Sequence, residues 1–155
     1  SDICKSGKAM QFPFDYQSDI ADCGPTCLRM IAKYYGKNYS SRFINSICSL
    51  GSEGTSILDL SRAAERIGLE SLAVYARYEM LRNLPLPAIA LWEQHHFIVI
   101  HRCQGKRICV ADPINGYRTY TSSEFARGWQ DPLKEEIQGI LLLLKPAPCL
   151  RDFGS

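Results

Sequence analysis

The period of the apolar residues changes once along this chain, and that change limits the fold more than any other feature. Up to residue 68 the apolar positions recur at helical spacing. From residue 71 onward they alternate or run in short blocks bounded by glycine, proline and serine. Helices first and strands second predict an α+β domain, with N-terminal helices packed against a C-terminal antiparallel β-sheet. At 155 residues and 46% hydrophobic content, one domain with a core of useful size is expected. The domain is expected over residues 12–153, behind a polar tail at 1–11 that reads as an addition, with Met10 as a natural start.

The first helix is the best defined. Leu28, Ile31, Ala32 and Tyr35 share one face. Pro25 has no N–H to donate and fits only a first turn, so the helix must begin close to Cys23. Gly36 supplies a stop. A second helix follows Ser40 and Ser41 through Phe43, Ile44 and Ile47. A third runs from Thr55 or Ser56 through Leu58, Leu60, Ala63, Ala64 and Ile67 to Gly68. Strands are expected over 71–76, 88–92, 96–102, 107–112, 117–121 and 137–145, with a short helix capped by Ser122 or Ser123 and ending at Trp129. The helices are expected on one face of the sheet.

Composition removes several functions. Eighteen basic and sixteen acidic residues leave a net charge of +2, with no basic block for nucleic acid. The start lacks the apolar stretch of a signal peptide. The longest apolar run, Ile140 to Leu144, is far too short to span a bilayer. The expectation is a soluble chain, or a soluble piece of a membrane protein. Seven cysteines include no C-x-x-C pair and no zinc spacing with the three histidines, so no metal or cofactor is expected. Most are read as reduced, small apolar residues.

Cys23 stands apart because of its place. At a helix N-terminus the unpaired N–H groups and the dipole favour an anion. A thiolate is the nucleophilic form of cysteine, so this position activates the sulfur. Gly24 leaves room for a substrate backbone to approach. Gln17, six residues upstream, carries an amide able to donate to a developing oxyanion beside the Cys23 N–H. Each has an ordinary alternative: a core thiol and a solvated side chain. Cys27, one turn on, reads as a packing residue.

Among His95, His96 and His101, the following hairpin makes a choice. A three-residue loop at Cys103, Gln104 and Gly105 pairs Arg102 with Lys106 and sets His96 opposite Asp112. The same register faces His101 with Arg107 and His95 with Pro113. Asp112 would then fix the imidazole tautomer and stabilise its charged form. The alternative is an edge histidine and a turn aspartate before Pro113.

Together these residues resemble a known family. Gln17-Ser-Asp-Ile-Ala-Asp22-Cys23-Gly24-Pro25-Thr26-Cys27 is similar to the cysteine motif of bacteriocin-processing peptidases, the N-terminal cytoplasmic domains of peptidase-containing ABC transporters. His96-Phe97-Ile98-Val99-Ile100, then Asp112-Pro113 and Gly116, resembles their histidine motif, and Gly54-Thr55-Ser56 through Gly68-Leu69 and Phe125 to Trp129 add to it. The resemblance spans about Phe12 to Phe153. It implies a papain-like fold and a cysteine peptidase that removes a leader after Gly-Gly or Gly-Ala from a ribosomally made peptide. It implies Cys23 as nucleophile, His96 as base, Asp112 as its orienter and Gln17 as oxyanion donor. The implied partners are a precursor with an amphipathic helical leader and the transmembrane and ATP-binding domains of an ABC transporter, at the cytoplasmic side of the membrane. A leader groove is expected, with Tyr75, Tyr78, Met80 and Leu81 as candidates that read at least as well as core residues. The rival functions are a peptide-docking domain that does not cut and another papain-like acyl-transfer enzyme.

Overall fold

Pro25 and Gly36 bound the first helix as their chemistry requires. Helix α1 covers Cys23–Tyr34, with Pro25 in its first turn, and Gly36 follows at φ +86°. A computed structural model describes residues 11–17, 22–48 and 54–148 of the chain. Most of the expected tail, the motif residues 18–21, and the end of the chain with Cys149 lie outside the described residues, as does Cys4.

Helix α2 spans Ser41–Ile47, capped by Ser40, whose hydroxyl accepts from the Phe43 N–H. Helix α3 spans Ile57–Arg66. Ser56 is its cap, because Asp59 three residues later completes a reciprocal capping box. The same logic moves the cap of the last helix. Helix α4 (Ser122–Trp129) is capped by Thr121 rather than Ser122 or Ser123, since Glu124 is placed to return the bond to Thr121.

Six strands follow the first three helices: β1 (Leu69–Arg77), β2 (Ala88–Trp92), β3 (His96–Gln104), β4 (Arg107–Asp112), β5 (Gly116–Thr121) and β6 (Gln138–Pro146). They form one sheet in the order β1-β6-β2-β3-β4-β5, with antiparallel pairing throughout. The final strand therefore lies inside the sheet. That position explains its unbroken apolar run, because a strand covered on both faces has no solvent side to alternate toward. Leu141 and Leu142 are both fully buried, on opposite faces.

Ile89, Val99, Leu142 and Leu144 pack with Leu28, Ile31, Leu60 and Ala64 of the first three helices. On the other face, Ala90, Ile98, Val110 and Leu141 pack with Phe125 and Trp129 of α4. The expectation of helices on one face only is thus corrected: α4 closes the second face. The pattern also hid a 3₁₀ turn at Tyr78–Asn83, whose Leu81 is buried beneath it.

The hairpin between β3 and β4 differs from its expected form. The loop holds two residues, Gly105 and Lys106, and Gln104 pairs with Arg107. Gly105 lies at φ +60°, as such a tight loop demands. A bulge at His101 then shifts the ladder, so that Ile100 faces Val110 and Val99 faces Ala111. Continued one step, that ladder sets Asp112 across from Ile98, so His96 is not directly opposite Asp112. His101 does not face Arg107, nor His95 Pro113.

Of the five described cysteines, Cys23, Cys27, Cys48 and Cys103 are free thiols, while Cys109 is disulfide-bonded. Four of these five are thus reduced, as expected of most of them, and Cys109 is the exception. Among the described residues no helix is long and apolar enough to cross a membrane.

Candidate active site

The first turn of α1 puts Cys23 at the head of the helix, 8% exposed. His96 begins β3 and is also 8% exposed. Asp112 ends β4 and is 1% exposed. His96 Nε2 lies 2.8 Å from Asp112 Oδ1, and the same imidazole shares a hydrogen bond with Cys23. With Nε2 engaged by Asp112, Nδ1 is the ring nitrogen left available to Cys23. The expected contact between His96 and Asp112 is therefore present, but reached diagonally across the ladder. A side chain two positions away on the neighbouring strand is still within reach of a long or aromatic group.

Asp112 is held on both oxygens. Its Oδ1 also accepts from the backbone N–H of Ile114 at 2.9 Å and of Asn115 at 3.3 Å. Its Oδ2 accepts from the Asn115 side-chain amide at 3.1 Å. This is the turn from β4 into β5, closed by the pairing of Asp112 with Gly116, which sits at φ +86°. Burial opposes the charge on Asp112, yet the bonds from His96, Ile114 and Asn115 hold its pKa down at about 2. Burial likewise pulls His96 down. The bonds and charges of Asp112 and Cys23 outweigh it and raise His96 from 6.5 to about 9. An imidazolium is the favoured state at neutral pH.

Cys27 has a separate task. It is fully buried, and its thiol donates to the Phe97 carbonyl at 3.3 Å. Burial, then the neighbouring Cys23 and Asp112, push its pKa well up. The protonated thiol ties α1 to β3 one residue from His96, which supports its reading as a packing residue.

Gln17 is carried by a segment fixed at several points. Its backbone N–H donates to the Pro113 carbonyl at 3.0 Å, directly after Asp112. Asp15 pairs with Arg29 of α1 at 3.4 Å. Phe12 is buried, and its carbonyl accepts from the Tyr117 hydroxyl. Gln17 is thus brought to the turn that holds Asp112, while its segment is bound to the helix of Cys23.

Two details depart from expectation. Gly24 is buried, and a Cβ there would meet the Leu60 side chain at 3.1 Å, so its smallness serves the packing of α1 on α3 rather than a substrate path. The other histidines are set apart from the pair. His95 is exposed, with Nδ1 2.6 Å from the Glu93 carbonyl. His101 is the bulge residue, stacked on Phe12 at 5.1 Å, and burial with the nearby Arg102 lowers its pKa to about 4.

A cleft of about 490 Å³ opens beside His96, whose neighbours His95 and Phe97 both line it. Thr55, Ser56, Ile57, Leu91, Gln94 and Ile140 form its other walls. Tyr75, the cross-strand partner of Ile140, is not among the residues that line it. The other groove candidates lie elsewhere: Leu81 is buried, and Tyr78 and Met80 line a different cleft with Glu136. Sequence reading missed Leu91 and Ile140 because each sits in an apolar strand that reads as core. It missed Asn115 because a turn asparagine carries no signal of its partner.

A cysteine at a helix head, set against an imidazolium on an adjoining sheet with a buried carboxylate behind it, defines a cysteine peptidase of papain-like fold. Residues 11–147 match the model of the peptidase C39 family, and the chain belongs to that family. It is 33% identical over 137 residues to the lactococcin-G-processing and transport ATP-binding protein LagD of Lactococcus lactis subsp. lactis, across 84% of this chain and 18% of that protein. It is 30% identical over 115 residues to the colicin V secretion/processing ATP-binding protein CvaB of Escherichia coli, across 74% of this chain and 16% of that one. The chain thus spans less than a fifth of each relative's length. A double glycine motif protease from an AMS/PCAT transporter, solved in complex with the leader peptide, superposes with a TM-score of 0.79 at 28% identity, over 87% of this chain and 91% of that chain. The peptidase domain of Streptococcus ComA gives 0.77 at 25%, over 87% and 98%.

Proposed function

We propose that this domain removes the leader from a ribosomally made secreted peptide, cutting after a Gly-Gly or Gly-Ala pair, with Cys23 as nucleophile, His96 as base, Asp112 as its orienter and Gln17 as oxyanion donor. The observation that carries this reading is the 2.8 Å bond between His96 Nε2 and the buried Asp112, with Cys23 at the head of α1 interacting with the same ring. The thiolate attacks the carbonyl of the second small residue, forming a C–S bond while the C=O electrons move onto oxygen. The oxyanion is received by the Cys23 N–H and the Gln17 amide. The intermediate collapses, the C–N bond breaks, and His96 gives its proton to the departing amine. Water, deprotonated by His96, then hydrolyses the thioester and restores the thiolate.

The apolar cleft of Ile57, Leu91, Phe97 and Ile140 receives the apolar face of the leader. In the full protein, the transmembrane and ATP-binding parts of an ABC transporter export the product, and the peptidase works on the cytoplasmic side. The likeness to two processing and transport proteins supports this part of the reading.

The test is a synthetic precursor, an amphipathic leader ending in Gly-Gly followed by a short cargo, incubated with the domain and read by mass spectrometry. A single cut after the second glycine is expected. Leader binding without any cut would replace this reading with a docking domain. The pH dependence offers an independent check. The pair works while His96 holds its proton, so kcat/KM is expected to fall on the alkaline side with a midpoint near 9. The same group links to folding. Its pKa is raised from 6.5 to about 9, so its contribution to stability is complete below 6.5 and is lost as the pH rises through 9. Thermal unfolding measured across that range should show Tm falling.

A further inference from the structure

We propose that Asn115 is a positioning residue for this reaction, its side-chain amide setting the plane of the Asp112 carboxylate and, through it, of the His96 ring. The inference rests on the roles given above to His96 and Asp112. Three donors meet Asp112 Oδ1: His96 Nε2, the Ile114 N–H and the Asn115 N–H. Bonds to one oxygen fix a point but leave the carboxylate free to twist about it. Asn115 Nδ2 supplies a bond to the second oxygen, Oδ2, at 3.1 Å. Two fixed oxygens define a plane, and a lone pair of Oδ1 is then aimed at the His96 N–H. The ring in turn keeps Nδ1 available to Cys23.

The side chain and backbone of Asn115 do different things here. The two backbone N–H bonds to Oδ1 shape the turn, and they survive removal of the side chain. Asn115 is exposed, so its truncation opens no cavity. Asn115→Ala therefore removes the second anchor while the turn and the charge at Asp112 remain. Asn115→Asp presents an oxygen to an oxygen and replaces the bond with repulsion.

The experiment measures kcat and KM on the leader substrate for Asn115→Ala, Asn115→Asp and Asp112→Ala, and records the downfield proton resonance of the His96 Nε2–H. A hydrogen bond to a charged group, weakened by exposure to water, supports a fall in kcat of roughly three- to ten-fold for Asn115→Ala. KM should stay unchanged. Asn115→Asp should fall further, and the N–H resonance should broaden in both as the bond to Asp112 loosens. A residue that merely shaped the turn would not broaden that resonance. Wild-type kcat and an unchanged resonance in both variants would overturn the inference while Asp112→Ala is impaired. An unimpaired Asp112→Ala would instead remove the roles assigned to Asp112 and His96.

Discussion

Cys23→Ala is expected to abolish cleavage of the leader, with a loss of roughly a million-fold, on the scale seen when a peptidase nucleophile is deleted. The size follows from the chemistry. Without sulfur at the head of α1 no thioester forms, and His96 has no acid to deprotonate. What remains is an oxyanion site and a cleft, which bind but do not react. The variant should therefore keep its affinity for the leader, measured by fluorescence anisotropy, while the mass-spectrometric product disappears. Cys23 is small and lies at the edge of the core, so the fold should tolerate alanine. Cleavage that persisted in Cys23→Ala would remove the nucleophile assignment outright. Cys27 cannot take its place, since its thiol is fully buried and held on the Phe97 carbonyl.

Asp112→Ala is expected to lower kcat by roughly 100- to 1,000-fold, in line with breaking one side of a buried charged pair. The Nε2–H of His96 would lose its acceptor, and three further donors around Asp112 would lose theirs. The burial that lowers the His96 pKa would then act against fewer opposing partners, so the alkaline limb of the rate profile should move down from about 9. Asp112→Asn is the informative companion. It keeps an oxygen for the imidazole but loses the charge, so it should retain more activity than alanine while still shifting the limb. A full set of pH–rate profiles separates orientation from charge. An unchanged limb in both variants would mean that Asp112 does not govern His96.

The contact between His96 and Asp112 was legible in the sequence, though its register was not. An apolar strand with a histidine at its head, a tight loop and a second strand ending in aspartate placed the two residues near one another. The register failed because the loop holds two residues rather than three and because His101 forms a bulge. Neither feature leaves a mark in the apolar pattern: Gly105 suits both loops, and a bulge shifts pairing without changing residue types. The start of α1 was legible for the opposite reason. Pro25 fits only a first turn, so the helix had to begin close to Cys23, where it does begin.

Gly24 shows where local reasoning falls short. A glycine beside a candidate nucleophile suggests open space, yet Leu60 from another helix fills it. Which neighbour arrives from distant sequence is a matter of tertiary packing. The cleft beside His96 was hidden for the same reason. Leu91 and Ile140 have the composition of core residues, and only the tertiary packing reveals that they line a cleft.

The placement of β6 has a consequence in time. Strand β6, which carries none of Gln17, Cys23, His96 and Asp112, is the one that joins β1 to the hairpins bearing His96 and Asp112. On a ribosome, Cys23, His96 and Asp112 all emerge before it, yet Ile89 and Leu28 lack their shared neighbours Leu142 and Leu144 until it arrives. A nascent chain would hold every reactive group and no assembled enzyme. Competence would come as a single late event, with β6 closing the sheet after every reactive group has been made.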